Sequence, residues 1–216
     1  MARDQIPDKK ERFKHFIELA TTVIIALATL SSAWCTYQAT KWGGIQIFRL
    51  SEVNDLGRRS SEKTAHAGQM RMIDGILFVE YLKANSRNQK SLADFFYQRF
   101  RPEAKRATDA WLATRPIENP RAPSHPFMME EYRLEPEQEA KRLNEESAQK
   151  HEEARQANQN SDNYIMLTVL FASVMFFGGI STQFDILRYR ITLTVISGIL
   201  LCAALGMLCT NPIAFE

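Results

Sequence analysis

The side chains that most often carry chemistry are few in this chain, and they are not grouped. The four histidines, His15, His66, His125 and His151, stand far apart, and none has a second histidine or a cysteine at a zinc-ligand spacing. Two glutamates follow His151, but a His-Glu-x-x-His motif does not form there. We therefore expect no catalytic residues, no metal site and no cofactor, and we expect that the protein is not an enzyme.

The cysteines and the paired glycines also point away from catalysis. Cys35, Cys202 and Cys209 lie in or beside apolar segments, where a thiol behaves as a small apolar group and the thiolate is disfavoured. Three cysteines cannot build a disulfide framework. Gly178 and Gly179 sit in an apolar segment without a following Lys-Ser or Lys-Thr, so they do not form a phosphate-binding loop.

The composition of the whole chain averages over segments that differ greatly. The 216 residues are 45% apolar and 24% charged, and this length suits one domain, or a small domain with an appendage. A net charge of +2 gives no basic footprint for nucleic acid, so we expect no nucleic-acid partner.

Three apolar segments indicate the fold class. A bilayer core about 30 Å thick requires about 20 mostly apolar residues in a helix. Residues 17–37 meet this requirement with one charge at the edge, Glu18, and residues 163–182 and 191–210 meet it with none. The short turn 183–190 makes the last two a helical hairpin. The sequence therefore predicts an all-α membrane protein with three transmembrane helices and a long helical extramembrane stalk between the first and the second.

The first apolar segment has alternative interpretations. A basic leader, 1–16, precedes it, and Ser31-Ser32-Ala33 fits the cleavage site of a signal peptide. A lipoprotein anchor at Cys35 is a further alternative, although the bulky Trp34 stands where a small residue is expected. Because the apolar stretch continues to Tyr37, a retained span is favoured.

Cations near the membrane ends predict the orientation. The leader and the turn 183–190 lie on the same side of a three-span protein, and cytoplasmic loops are enriched in lysine and arginine. Both are therefore expected in the cytoplasm, with 38–162 and the tail 211–216 outside; in a bacterium this means an inner-membrane protein with 38–162 in the periplasm. The cations concerned are Arg3, Lys9, Lys10, Arg12, Lys14, Arg188 and Arg190.

The end of the first span carries the most distinctive local pattern. Trp34, Tyr37, Lys41 and Trp42 are the amphipathic side chains expected at a membrane boundary, where they would anchor the depth of the span. The segment Trp34 to Ala39 reads W-x-x-Y-Q-A, and it resembles the end of the first span in uncharacterised bacterial three-pass membrane proteins. That resemblance implies a helical extracytoplasmic insert and a closing hairpin, and it implies no activity.

The first helix of the predicted stalk, 38–162, is expected to follow Gly43 and Gly44, where the chain can bend. A helix is expected from Ile45 to about Ala84, a shorter one from Ser91, and a third from Pro102 to about Thr114. The proline-rich stretch 115–127 is expected to be an extended loop, either a docking strip or a plain linker. The face expected to be buried on the first helix comprises Val53, Leu56, Ser60, Thr64, Ala67, Ile73, Ile76, Leu77 and Tyr81, and the expected distal core contains Phe95, Phe96, Phe100, Trp111 and Leu112.

One helix is expected to return from Pro136 into the second span with a heptad seam typical of a coiled coil. The small seam residues bury little area, so the seam requires a partner, either the first stalk helix in an antiparallel pair or a symmetry mate. The predicted seam residues are Ala140, Leu143, Ser147, Ala154, Ala157 and Ser161.

Small and hydroxyl side chains recur within the spans. Stripes with four-residue spacing permit close helix packing, within one protomer or between protomers; they are Ala28, Ser32 and Thr36, and Gly198, Cys202 and Gly206. Hydroxyls can line a pore or can bond to their own helix; those of interest are Thr21, Thr22, Thr29, Thr168 and Ser173.

These observations favour a non-enzymatic function. The leading hypothesis is an oligomeric scaffold or accessory subunit that presents the stalk to a partner. Beside the lipid bilayer, its expected partners are further copies of itself or the other subunits of a membrane complex. The alternatives are a channel-like oligomer with a pore lined by serine and threonine and, least favoured, a membrane enzyme, because no acid/base, nucleophile or metal constellation is present. The spans contain no buried Asp, Glu, Lys, Arg or His, which argues against a pump or a proton-coupled transporter.

Overall fold

A computed structural model describes residues 9–215, with only the backbone at Lys9 and Lys10. Arg3 of the basic leader and Glu216 of the tail lie outside the described residues. The described residues are 83% helical, and no strand occurs within 9–215. The helices are α1 (Lys9–Ser86), α2 (Lys90–Gln98), α3 (Pro102–Ala113), α4 (Glu135–Ser181) and α5 (Leu187–Thr210), with a 3₁₀ turn at Pro126–Met128.

Three of these helices are long and apolar enough to cross a membrane. The most apolar windows of α1, α4 and α5 have mean hydropathies of 1.8, 1.9 and 2.3. Each helix also exposes large apolar side chains in its span, such as Leu30, Val169 and Ile199, which water would solvate poorly and lipid solvates well. These properties indicate a multi-pass membrane protein.

The chain divides into two compact units. The polar unit is Ser51–Lys150, and the span unit comprises residues 9–50 and 151–215. The predicted stalk, 38–162, is therefore longer than the polar unit, because 38–50 and 151–162 group with the spans.

The span unit packs α1, α4 and α5 around one apolar core. Tyr164, Leu167, Phe171 and Val174 recur every three or four residues of α4 and are fully buried. The continuous helix that the sequence predicts from Pro136 into the second span is present as α4, which passes through both glycines to Ser181. The rest of this core is Ala28, Cys35, Ala39, Leu201 and Ala204.

Helix contact in the span unit depends on Gly178. A Cβ at this position would lie 2.9 Å from Ile25 Cγ1 and 3.3 Å from Ser197 Oγ, so α4 approaches both α1 and α5 closely there. At Gly179 a Cβ would meet nothing within 4 Å. The tight packing thus requires glycine at position 178 but not at position 179.

The polar unit has an aromatic core between α1, α2, α3 and the segment before α4. Helix α1 ends before Asn88, which takes a left-handed φ of 57°, and α3 begins at Pro102, whose missing N–H costs nothing at a first helical position. The core consists of Ala67, Phe78, Phe100, Ala104, Ala107, Trp111, Tyr132 and Leu134.

Several expectations for the polar unit and its boundary are wrong. Helix α1 runs through Gly43 and Gly44 without interruption. Ile73 and Ile76 are exposed, and so is Phe95 in α2. Thr64 and Leu112 are exposed as well. In place of Ile73 and Ile76, α1 buries Asp74, one residue after Ile73, and Phe78, two residues after Ile76.

The stretch 115–127 also differs from the expected extended loop. It folds into turns in which the Arg115 carbonyl accepts from the N–H groups of Glu118 (3.0 Å) and Asn119 (2.9 Å). Trp111 Nε1 donates to the Pro123 carbonyl over 2.6 Å, which fastens the segment to α3. The stretch is therefore folded back on the polar unit.

Candidate interaction site

A fully buried carboxylate organises the core of the polar unit. Asp74 Oδ1 accepts from Arg101 Nε over 3.1 Å, and Oδ2 accepts from the Arg101 guanidinium and from the Tyr132 hydroxyl, the latter over 2.7 Å. Burial and the bond to Asp74 raise the pKa of Tyr132 above its ordinary value. The charge-assisted bonds join α1, the start of α3 and the segment before α4, so this cluster fixes the frame on which surface sites are built.

Edge-on ring contacts extend that frame to Trp111. The ring of Phe78 is 5.4 Å from that of Trp111 and 5.7 Å from that of Phe127, and Phe127 is 4.8 Å from Tyr132. Such T-shaped pairs add stability beyond the buried area. Trp111 is therefore held by its ring contact with Phe78 and by its hydrogen bond to the Pro123 carbonyl.

An apolar cleft lies against this rigid tryptophan. It encloses about 600 Å³ between the end of α1, the end of α3 and the turn after α3. Ile117, at the lip, is 99% exposed, and Arg115, with a left-handed φ of 50°, turns the chain toward it. The apolar lining comprises Leu82, Trp111, Leu112, Pro116 and Ile117, and the polar rim comprises Lys83, Asn85, Ser86, Arg115 and Glu118.

This arrangement can bind an apolar side chain, but it offers little for catalysis. The charged rim groups Arg115 and Glu118 pair with each other at 3.8 Å, and Lys83 pairs with Glu80 at 2.7 Å. A preformed apolar floor with a paired polar rim is the usual anatomy of a protein-binding pocket. This anatomy makes the cleft a candidate interaction site.

A second, more polar cleft of about 890 Å³ lies where α4 begins. Arg71 spans part of it, donating to Glu137 over 2.7 Å and lying 6.0 Å from the centre of the Tyr132 ring. Arg133 donates to the Glu130 carbonyl over 3.0 Å. Because two of the cations on its walls already have protein partners, this cleft is a weaker candidate.

Hydroxyl groups link the spans at the end that holds Glu18. Thr21 and Thr194 share a hydrogen bond of 3.0 Å, and Thr194 lies 3.4 Å from Ser181. Glu18, the one charge of the first predicted span, pairs with Arg190 at 2.9 Å. These contacts join all three spanning helices.

The hydroxyls proposed for a pore are occupied by their own helices. Thr22, Thr29, Thr168 and Ser173 each donate to the carbonyl four residues earlier, at 2.8 to 3.1 Å. Thr21 does the same with Ile17, over 2.8 Å. This is the alternative to pore lining, and a channel-like oligomer with a pore lined by these residues stays a prediction.

The predicted membrane anchors form two groups. Trp34 and Tyr37 are exposed with ring centres 5.7 Å apart, and Lys41 Nζ lies 5.8 Å from the Tyr37 ring. Trp42 instead packs on the core and donates from Nε1 to the Pro212 carbonyl over 3.1 Å. Anchoring at a membrane boundary stays a prediction for all four.

Gln38 is a residue that the sequence reasoning missed. It is buried, and its Oε1 accepts from the Ala214 N–H over 2.9 Å, while the Tyr164 hydroxyl donates to the Pro212 carbonyl over 3.1 Å. Gln38, Trp42 and Tyr164 thus hold the C-terminal tail. The sequence feature that could have indicated it is the amide side chain of Gln38 in the W-x-x-Y-Q-A segment, at the end of an apolar span.

The predicted seam of α4 meets α1 in each unit. In the polar unit, Ser60 donates to the Ala140 carbonyl over 2.9 Å, and Ser147 donates to the Val53 carbonyl over 3.3 Å. In the span unit, Ser161 donates to the Ala39 carbonyl over 3.0 Å, and Arg49 pairs with Glu153 at 3.0 Å. In both units the paired positions run in opposite directions along the two helices. Leu143, Ala154 and Ala157 are buried as well.

The small-residue stripes have a mixed environment. Ala28 is buried, Ser32 is half-buried and Thr36 is exposed. On α5, a Cβ at Gly198 would lie 3.8 Å from Ile24, whereas Cys202 and Gly206 are exposed. The face of α5 that packs inward is Ser197, Leu201 and Ala204. A packing role for the outer residues stays a prediction.

The candidate ligand residues remain dispersed in space. All three cysteines are free, with Cys35 buried and the other two exposed. Among the residues that the structure describes, no group of three or more His, Cys, Asp or Glu side chains could hold a metal ion.

Comparison with known proteins found no match: no protein-family model, no curated protein and no solved structure is similar to this chain at a significant level.

Proposed function

We propose that the protein is an oligomeric scaffold or accessory subunit of the bacterial inner membrane, which presents a helical stalk, 38–162, to a partner protein. The observation that carries the proposal is the apolar cleft beside Trp111. The cleft holds an exposed isoleucine at its lip and a buried aromatic floor, and apolar surface of this kind is usually covered by a partner.

Preorganisation supports this use of the cleft. The Trp111 ring is fixed by the Phe78 contact and by the Pro123 carbonyl, so a partner does not have to order it on binding. Binding energy is then not spent on side-chain entropy. A short apolar segment of a partner, with one bulky side chain, suits such a site.

The proposed topology follows the distribution of cations. The leader 1–16 and the turn 183–190 lie in the cytoplasm, and the stalk and the tail 211–216 lie in the periplasm. A periplasm-active reporter fused at Pro120 is expected to be active. Activity there only from a cytoplasm-dependent reporter would overturn this orientation.

The test of the cleft uses partner recovery from native membranes. Leu112 lines the cleft and is 38% exposed, so the variant Leu112→Glu places a charge in the cleft. The matched control is Leu92→Glu, since Leu92 is 43% exposed on α2 and does not line the cleft. The proposal is supported by a protein that cross-links to the wild type and to the Leu92→Glu control but not to Leu112→Glu. After separate purification, the same protein should bind the wild-type chain again.

Other outcomes count against it. Equal recovery with both variants removes the cleft as the docking site. Reproducible single-channel currents from the purified protein would favour the channel hypothesis instead, and substrate turnover that a single substitution abolishes would favour an enzyme.

A further inference from the structure

Helix α1 carries an exposed apolar strip within the polar unit. Met72 is 65% exposed, Ile76 59% and Val79 46%, and Ile73 lies beside them. Buried Asp74 and Phe78 lie on the other side of the same helix and pack into the core. The strip is therefore a second apolar face, and none of its residues lines the cleft at Trp111.

The spacing of the strip is that of a coiled-coil seam. Ala65, Gln69, Met72, Ile76 and Val79 are all exposed and follow one another by alternating steps of four and three residues. This alternation keeps side chains on one line of a helix, where they can insert between the side chains of a second helix. The helix that packs on α1, α4, uses other faces and leaves this line open.

We propose that the strip, 65–79, pairs in parallel and in register with the same strip of a second copy. The proposal names the surface through which copies of the proposed oligomer associate, and to that extent it rests on the proposed function. Copies inserted in one membrane share one orientation, so equivalent α1 helices run in the same direction. Pairing about a two-fold axis then brings each seam residue opposite its own equivalent.

The charge pattern suits a partner identical to itself. No seam position between Ala65 and Val79 is charged, so like residues meet without repulsion, and the seam is bounded by Glu62 and Lys83. Charged partners of a different kind would find nothing complementary on this line. Gln69, the one polar seam residue with an amide, can hydrogen-bond to the same residue of the second copy, a device that fixes parallel register.

The flanks permit close approach. Gly68 stands beside the seam, and a Cβ there would meet nothing within 4 Å, so the space next to the strip is open. The strip is short, and it buries much less than the roughly 1,600 Å² of a standard interface. Confinement of both copies to one bilayer compensates, because it raises their effective concentration. We therefore expect association in membranes rather than between dilute molecules.

Disulfide trapping in native membranes tests the pairing. The full-length chain first has Cys35, Cys202 and Cys209 replaced by alanine, because the last two are exposed and would cross-link by themselves. Ile76→Cys is then added, and the membranes are treated with a mild oxidant. The expected result is a disulfide-linked homodimer in at least about tenfold larger yield than with Leu92→Cys, an exposed control position off the strip.

A second variant protects the test against misfolding. Val79→Cys lies on the same line of α1 and is also expected to give the dimer, whereas adding Gln69→Asp to it should reduce the yield by placing like charges opposite each other. Equal yields from Ile76→Cys and Leu92→Cys would overturn the proposal. Capture of a different protein by Ile76→Cys, in place of a second copy, would overturn it as well.

The two proposals fail separately. If no dimer is trapped but a partner is still recovered in a Leu112-dependent manner, pairing through the strip is rejected and the scaffold function stands. If a dimer is trapped but no partner is recovered in a Leu112-dependent manner, the scaffold function is rejected and pairing through the strip stands.

Discussion

Removal of the Arg101 side chain should strongly destabilise the polar unit. Asp74 has no exposed side-chain surface, and Arg101 supplies two of the three donors to its carboxylate. In Arg101→Met the charge of Asp74 stays buried with only the Tyr132 hydroxyl as donor. Breaking a buried pair in this way costs about 3–5 kcal/mol.

Removal of Asp74 and removal of Arg101 should not destabilise the polar unit equally. The Arg101 side chain is 26% exposed, although its Nη1 is buried, whereas the Asp74 side chain has no exposed surface, so the charge left by Asp74→Leu lies closer to water than the charge left by Arg101→Met. We therefore expect Asp74→Leu to cost less than Arg101→Met. The double variant should recover at least about 2 kcal/mol relative to the sum of the two single changes, because no unpaired buried charge remains.

Pulse proteolysis of the full chain in mild detergent and urea measures the free energy of unfolding of the polar unit. The control is Arg99→Met: Arg99 is exposed, and its guanidinium lies 3.4 Å from the centre of the Phe95 ring, so its loss should cost no more than about 1 kcal/mol. Equal, small losses from Arg101→Met and Arg99→Met would refute the argument that the Asp74 charge needs Arg101. Strictly additive costs in the double variant would refute the coupling.

Two further predictions concern the span unit and the response to alkaline pH. Gly178→Leu should reduce the thermal stability of the protein in detergent, because its side chain would clash with α1 and α5, whereas Gly179→Leu should change it little; equal effects would contradict the packing of α4. Burial, and then the hydrogen bond to Asp109, raises the pKa of Tyr97 to about 12 from an ordinary value near 10. A raised folded-state pKa gives stability that is complete below pH 10 and is lost as the pH rises through about 12. The urea midpoint of the polar unit should therefore fall over this range, and less so in Tyr97→Phe; the same decline in both would show that other groups cause it.

The parts of the fold that the sequence predicts are those set by local physics. Lipid requires long uncharged helices wherever they occur in the chain, so three spans are recognisable from composition alone. Proline sterics act on adjacent residues, and α3 accordingly begins at Pro102.

The parts that were missed depend on distant residues. Hydropathy places Ile73 and Ile76 inside and Asp74 outside, but the buried carboxylate meets Arg101, 27 residues away, and Tyr132, 58 residues away. Gln38 likewise meets Ala214, 176 residues away. No local pattern encodes such pairs, and a buried polar side chain is favourable only once its partner is in place. The cleft beside Trp111 escaped prediction for the same reason, because its floor and lip come from α1, α3 and a folded loop.

The two faces of α1 in the polar unit separate folding from association. The face with Asp74 and Phe78 is required for the core, and changes there act on stability. The face with Met72, Ile76 and Val79 contributes little to the fold of one chain, since these side chains remain largely exposed. An exposed apolar line at regular seam spacing has a solvation cost in water, and burial against a second copy removes that cost. Substitutions on the first face should therefore reduce stability and those on the second should reduce dimer yield, although both faces belong to the same helical turns.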